Sequence, residues 1–83
     1  MEGGAPNITA VSTNGKNLVV SGTNFDGSAT ILVDNDPQRT LFGGPGVLVG
    51  KKTAKRIASG QTVSVQVQNG DSALSQAVSF TKP

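Results

Sequence analysis

The segment Thr62 to Thr81 constrains the fold of this chain more than any other stretch of the sequence. It reads TVSVQVQNGDSALSQAVSFT, in which Val63, Val65 and Val67 alternate with polar side chains. A period of two is typical of a strand that has one buried face and one solvated face. The pair Asn69-Gly70 follows this strand, and both residues tolerate the positive φ that a tight reversal requires. The segment therefore predicts a β-hairpin and an all-β fold.

The composition also favours strands over helices. Among 83 residues there are ten valines and five leucines, and polar turn-forming residues fill the gaps between them. Valine, leucine, isoleucine and phenylalanine together make 21 of the 83 residues, which is above the roughly 20% below which chains stay disordered. A chain of this length forms one small domain that buries only about 60–65% of its unfolded surface.

Several residue types are missing, and their absence limits the chemistry. The chain has no cysteine, histidine, tryptophan or tyrosine, and its net charge is +2. Disulfides, iron–sulfur clusters and thiolate chemistry are thereby excluded, and so are the usual zinc ligands and the commonest general base. We therefore expect neither a cofactor nor an enzymatic activity. No apolar run is long enough to span a membrane.

Turn signals recur every 8–12 residues and separate about seven short strands, which indicates a two-sheet sandwich. The region 1–5 is expected to be a linker, and 6–83 a single domain. Short strands are predicted at Asn7–Val11, Lys16–Ser21, Ala29–Val33, Thr40–Phe42 (a sheet edge) and Val47–Val49. Turn or loop is predicted at Asp34–Pro37 and Gly43–Gly46. One helical turn is expected within Thr53–Ala58, with Ile57 pointing inward and Gly60 as its cap.

Four sequence segments together resemble a known family. They are Pro6-Asn7-Ile8, LVVSGTNF from Leu18 to Phe25, the third strand Ala29 to Val33, and the run from Ile57 through the closing hairpin to Phe80. In this order and spacing the chain resembles an IPT/TIG domain, the immunoglobulin-like module found in plexins and transcription factors. The resemblance implies an E-set type, immunoglobulin-like sandwich from a multidomain bacterial extracellular protein. Its structural positions in this chain are expected to be Ile8, Leu18, Val20, Gly22, Phe25, Ile31, Val33, Ile57, Gly60, Val63, Val65, Val67, Val78 and Phe80.

Two groups of charged residues are candidate binding sites. Lys51, Lys52, Lys55 and Arg56 place four of the seven basic residues within six positions, which could contact an anionic surface. Nucleic-acid binding is not favoured, because no aromatic residue interleaves the cations and no long helix could enter a groove. A solvated sheet edge would explain the same cluster. The acidic residues of the Asp34–Asp36 turn could contribute to a weak calcium site, although Asp and Asn are also ordinary turn formers.

The expected role is that of a non-catalytic structural or protein-interaction module, a spacer or docking domain of a larger extracellular or cell-surface protein. Its partners would be the neighbouring domains of the parent protein and an unidentified protein. We expect a monomer whose termini lie at opposite ends. An accessory carbohydrate-binding module of a polysaccharide-acting enzyme remains an alternative, as does a Rel-like domain for DNA contact or dimerisation.

Overall fold

The fold is an all-β sandwich of two antiparallel four-stranded sheets, as the sequence predicts. A computed structural model describes residues 5–44 and 46–83. The first sheet has the strand order β1-β2-β6-β5 and the second β4-β3-β7-β8. The strands are β1 (Asn7–Asn14), β2 (Asn17–Thr23), β3 (Thr30–Val33), β4 (Asp36–Pro37), β5 (Thr40–Gly44), β6 (Val47–Gly50), β7 (Thr62–Gln68) and β8 (Val78–Thr81). A 3-10 turn at Ala54–Arg56 connects β6 to β7.

The core lies between the inner faces of the two sheets. Leu18, Val20 and Leu48 from the first sheet are fully buried, as are Val65 and Val67 from the second. Their spacing of two along each strand places them all inward because side chains alternate across a pleated strand.

The positions that the family resemblance marked as structural fall in three groups. Most are core residues, whereas Val33, Val78 and Phe80 are partly buried and pack against the core from its margin. Gly22 is half-buried and Gly60 is exposed. The core residues of the set are Ile8, Leu18, Val20, Phe25, Ile31, Ile57, Val63, Val65 and Val67.

Within residues 5–44 and 46–83 there are eight strands where about seven were expected, because part of a predicted turn forms a strand. Asp36–Pro37 pairs with β3 as the two-residue strand β4. Proline is tolerated there because β4 is the edge of its sheet, where a missing N–H breaks no ladder. The prediction that Thr40–Phe42 lies at a sheet edge is correct, since β5 is the last strand of the first sheet.

The expectation that Gly43 and Gly44 belong to a loop is wrong. Both residues extend β5, and Gly44 pairs with Val47 across a bulge. Gly44 has a φ of 147°, which favours glycine, so the bulge accounts for the residue type without a loop. Pro45 and the expected linker residues 1–4 lie outside the described residues.

The turn between β7 and β8 is wider than a two-residue Asn-Gly reversal. A bridge joins Gln68 to Leu74, and the positive φ falls on Ser72 rather than on Asn69 or Gly70. Asn69 is buried because its side chain joins two loops. Its Nδ2 donates to the carbonyl oxygen of Asn24 at 2.8 Å, and its Oδ1 accepts from the Asp26 N–H at 3.2 Å.

Gly60 does not cap the helical turn as expected. The 3-10 turn ends at Arg56, and Ile57 is already extended. Gly60 has a φ of 83° in a separate turn, where its N–H donates to the carbonyl oxygen of Lys82 at 2.7 Å. The left-handed conformation therefore serves to hold the C-terminal segment rather than to end a helix. Ile57 points inward as predicted and is 2% exposed.

Gly22 and Phe25 close one end of the sandwich. The Phe25 ring is 4% exposed and lies against Gly22. A Cβ at position 22 would overlap the Asn7 carbonyl oxygen and lie 2.8 Å from Cζ of Phe25. The Gly22 N–H also donates to Gly46 O at 2.9 Å. Only glycine allows both β1 and the Phe25 ring to approach this backbone so closely.

We predict that Gly22→Ala destabilises the domain by about 3 kcal/mol, because the new methyl group meets a backbone carbonyl that cannot rotate away. The midpoint of urea unfolding measures the change. Gly27→Ala is the matched control, since a Cβ there meets nothing within 4 Å and its φ is not positive. Equal midpoints for the two variants would contradict the close-approach explanation.

We also predict that Asn69→Ala lowers the free energy of unfolding by about 2 kcal/mol, because it removes two partly buried hydrogen bonds, with the Asp26 N–H and the Asn24 carbonyl, that join the two loops. Asn14→Ala, an exposed position at the end of β1, should change it by less than about 0.5 kcal/mol. Thermal or urea unfolding of the two variants gives the comparison. A loss no larger in Asn69→Ala than in Asn14→Ala would refute the structural role of this amide.

Candidate functional site

The predicted basic cluster lies where β6 leaves the first sheet. Lys51 and Lys52 follow Gly50, the last residue of β6, and Lys55 and Arg56 belong to the 3-10 turn. All four side chains are exposed. Lys52 has a φ of 61°, and its N–H donates to Oδ1 of Asn17 at 3.1 Å, so a tight turn presents these cations together.

The fold adds three more cations to the same end of the sandwich. The Ala54 N–H donates to the Lys16 carbonyl at 3.0 Å, and the Lys51 N–H to the Arg39 carbonyl at 2.7 Å. Lys82 reaches the same turn through Nζ, which donates to the Ala54 carbonyl at 2.8 Å. Every lysine and arginine of the chain therefore lies at one end, which we call the basic end: Lys16, Arg39, Lys51, Lys52, Lys55, Arg56 and Lys82.

The other end carries acidic residues. Asp26 and Asp71 lie in the β2–β3 and β7–β8 loops, and the Gly70 N–H donates to Oδ2 of Asp26 at 2.9 Å. Asn69 holds the two loops together. We call this the loop end. The seven basic residues are thus separated from these two carboxylates along the strands.

A cavity of about 220 Å³ lies beside Arg56 at the basic end. Val33, Ile57 and Val63 form its apolar walls. Its polar lining consists of Asp34, Asp36, Gln38, Thr53, Arg56 and Gln61. Sites for small molecules usually enclose about 300–1,000 Å³, so this cavity suits a single side chain better than a complete ligand.

Gln38 and Thr53 give this cavity a rigid polar wall. They are 8% and 1% exposed, and Oγ1 of Thr53 donates to Oε1 of Gln38 at 3.4 Å. Nε2 of Gln38 donates to the Asp36 carbonyl at 3.0 Å. Sequence reasoning missed Gln38, because a glutamine after Asp-Pro looks like an exposed turn residue. No signal in the sequence shows that β4 folds it inward.

The acidic turn near the cavity has a structural explanation. Asp34 and Asn35 have φ values of 50° and 68°, which suit a two-residue turn between β3 and β4. Oδ1 of Asp34 accepts the Ser64 N–H at 2.9 Å. Asp36 follows in β4 and lines the cavity. The described residues contain no group of three or more side chains suited to hold a metal ion.

The outer face of the first sheet bears an apolar strip. Val19, Val49 and Leu41 lie side by side on β2, β6 and β5. Leu41 is 49% exposed, and Phe42 beside it is 46% exposed at the sheet edge. Sequence reasoning missed this strip, although the runs Leu18–Val20 and Val47–Val49 indicate it, because uninterrupted apolar runs are typical of strands with apolar side chains on both faces.

Comparison with protein families agrees with this architecture. The family model described as the IPT/TIG domain matches residues 6–82. The chain belongs to the IPT/TIG family. Domains of this family are immunoglobulin-like modules, typically non-catalytic, that take part in protein interaction or DNA contact. No curated protein matched the chain. In the described part of this IPT/TIG domain, no helix has the length and apolar character needed to cross a membrane.

We predict that millimolar calcium leaves the melting temperature of this IPT/TIG domain unchanged. Asp34 already accepts a backbone hydrogen bond, whereas calcium needs six to eight oxygen ligands. A melting scan with calcium, compared with one in chelator, measures this. The melting temperature of Asp36→Asn should likewise be the same with calcium as with chelator. A saturable stabilisation that Asp36→Asn abolishes would establish a calcium site instead.

Proposed function

We propose that this domain is a non-catalytic structural and protein-interaction module, acting as a spacer or docking domain within a larger extracellular or cell-surface protein. The observation that carries the proposal is the path of the chain. Asn7 pairs with Thr23 at the loop end, whereas Thr81 pairs with Thr62 at the basic end. The chain therefore enters and leaves at opposite ends of a body that measures 41 × 20 × 19 Å.

This arrangement supports an end-to-end linkage of neighbouring domains. Neighbouring domains would be linked through the chain at the two ends, while the outer faces of both sheets and the exposed side chains of the basic end remain available to a partner protein. The apolar strip with Val19, Val49 and Leu41 supports protein contact, since aromatic and aliphatic side chains form the centre of most interfaces. We infer the extracellular location from the occurrence of this family in cell-surface proteins.

The composition supports a role without catalysis. The side chains that most often act as nucleophile or general base, cysteine and histidine, do not occur in this chain. The cavity at the basic end is lined by carboxylates and amides, and its volume is below that of most small-molecule sites. Binding rather than turnover is the function that such a site can perform.

A carbohydrate-binding module is the second candidate, and one side chain favours it. Phe42 is half-exposed on β5, whereas Phe25 is buried and Phe80 is partly buried. A single exposed ring offers a small platform for a sugar, so we rank this function below protein interaction. Glycan-array binding that Phe42→Ala abolishes would reverse the order.

The geometry and the monomeric state can be tested together by spin labelling, because the chain has no native cysteine. Labels on Ala5→Cys and Pro83→Cys should be separated by at least about 25 Å, the length of an eight-residue strand. Labels on Asn14→Cys and Pro83→Cys, both at the basic end, should lie much closer and serve as the control. Pulsed dipolar spectroscopy measures both pairs.

Protein labelled only at Ala5→Cys addresses association. It should give no dipolar signal between molecules if the domain is a monomer. A defined intermolecular distance would favour the dimerisation role instead. Similar separations for the two doubly labelled pairs would refute the end-to-end arrangement.

A further inference from the structure

The fold concentrates charge more strongly than the sequence suggests. The sequence shows four cations in one segment, and the fold adds Lys16, Arg39 and Lys82 from three other segments. Two carboxylates, Asp34 and Asp36, adjoin the same end, so the basic end carries seven positive charges and two negative ones. The field of such an end attracts anionic partners and orients their approach. Physiological salt limits its reach to about 8–10 Å.

The cavity determines which anionic partner fits. Arg56 belongs both to the basic end and to the cavity wall, and Asp34 and Asp36 line the same cavity. A uniformly anionic polymer, such as a sulfated glycan or nucleic acid, would be repelled by these carboxylates. A peptide can place acidic side chains on the lysines and a cationic side chain in the cavity, where the two carboxylates of Asp34 and Asp36 outnumber the one cation, Arg56. The apolar wall of Val33, Ile57 and Val63 suits the aliphatic stem of such a side chain.

We propose that the basic end binds an acidic peptide segment of a partner protein, with one lysine or arginine of that segment inserted into the cavity beside Asp34 and Asp36. The proposal rests on the proposed function as an interaction module and names the chemistry of its partner. The lysines at the rim attract the acidic side chains of the peptide. The cavity makes binding selective, because its two carboxylates favour a peptide that carries a cation within an otherwise acidic sequence.

The experiment uses fluorescence anisotropy with defined probes. The first probe is a short labelled glutamate peptide with one central lysine, and the second has norleucine in place of that lysine. A third has glutamine in place of every glutamate, and a heparin-type sulfated oligosaccharide is the fourth. We expect the first probe to bind most tightly and its affinity to fall as salt is raised. Equal binding of the glutamine peptide would overturn the proposal.

Variants at the rim test the role of the lysines. K51Q/K55Q should weaken the first probe about tenfold, because it removes two exposed cations. K51R/K55R should retain binding. The matched control is T23E/A77E, which changes the net charge equally at exposed positions towards the loop end and should bind like the unaltered domain. An equal loss in the control would show an effect of net charge alone and would overturn the proposal.

Asp36→Asn should change the affinity for a lysine-containing peptide and the affinity for a polyanion in opposite directions. It should weaken the lysine probe about threefold and slightly strengthen the norleucine probe, because the lysine loses an attractive charge whereas the uniformly anionic norleucine probe loses a repulsive one. It should strengthen the binding of the sulfated oligosaccharide, for which Asp36 is repulsive. Tighter binding of both peptides to Asp36→Asn would refute the proposal. The spin-label distances on the free domain are independent of these probes, so failure here leaves the proposed function testable by itself.

Discussion

The contact between the inner faces of the two sheets is the constraint on which the rest of this structure depends. A domain of 83 residues has little apolar surface to bury, so both sheets must present it in phase. Leu18, Val20 and Leu48 from one sheet meet Ile31 and Val65 from the other, and all five are inaccessible to solvent. The chain has no cysteine, so no disulfide supplements this core. The ends of the sandwich therefore have to be closed by the chain itself.

The two ends are closed by different means, and this difference produces the candidate site. At the loop end, the Phe25 ring packs on Gly22 while the Asn69 amide holds two loops. At the basic end, the 3-10 turn crosses between the sheets and buries Ile57. This crossing leaves a cavity beneath Arg56 and an exposed rim of lysines. The candidate site thus lies at the end where a turn, rather than an aromatic ring, closes the core.

Sequence reasoning succeeded where the signal was local. Period-two alternation located β7, and the turn pairs separated the remaining strands. It failed where a residue's role depends on a distant segment. Gly43 and Gly44 extend a strand because β6 lies beside them, and Asn69 is buried because the β2–β3 loop lies against it. The four clustered cations of the candidate site could be found in the sequence. Gln38 could not, because nothing near it in the chain shows that it faces a cavity.

The sequence by itself determined an all-β fold, because alternation and turn chemistry are properties of neighbouring residues. Its resemblance to the IPT/TIG family, which the match over residues 6–82 confirms, identified the immunoglobulin-like module. The sequence also determined which chemistry is absent, since residue types do not depend on folding. Only the tertiary structure decided that Lys16, Arg39 and Lys82 join the predicted cluster and that Asp36 and Arg56 share a cavity. The physical reason is that antiparallel strands bring residues far apart in the chain to the same end of a sheet. The alternating valines that identify the fold form its core, and the charged residues of the basic end lie where those strands end.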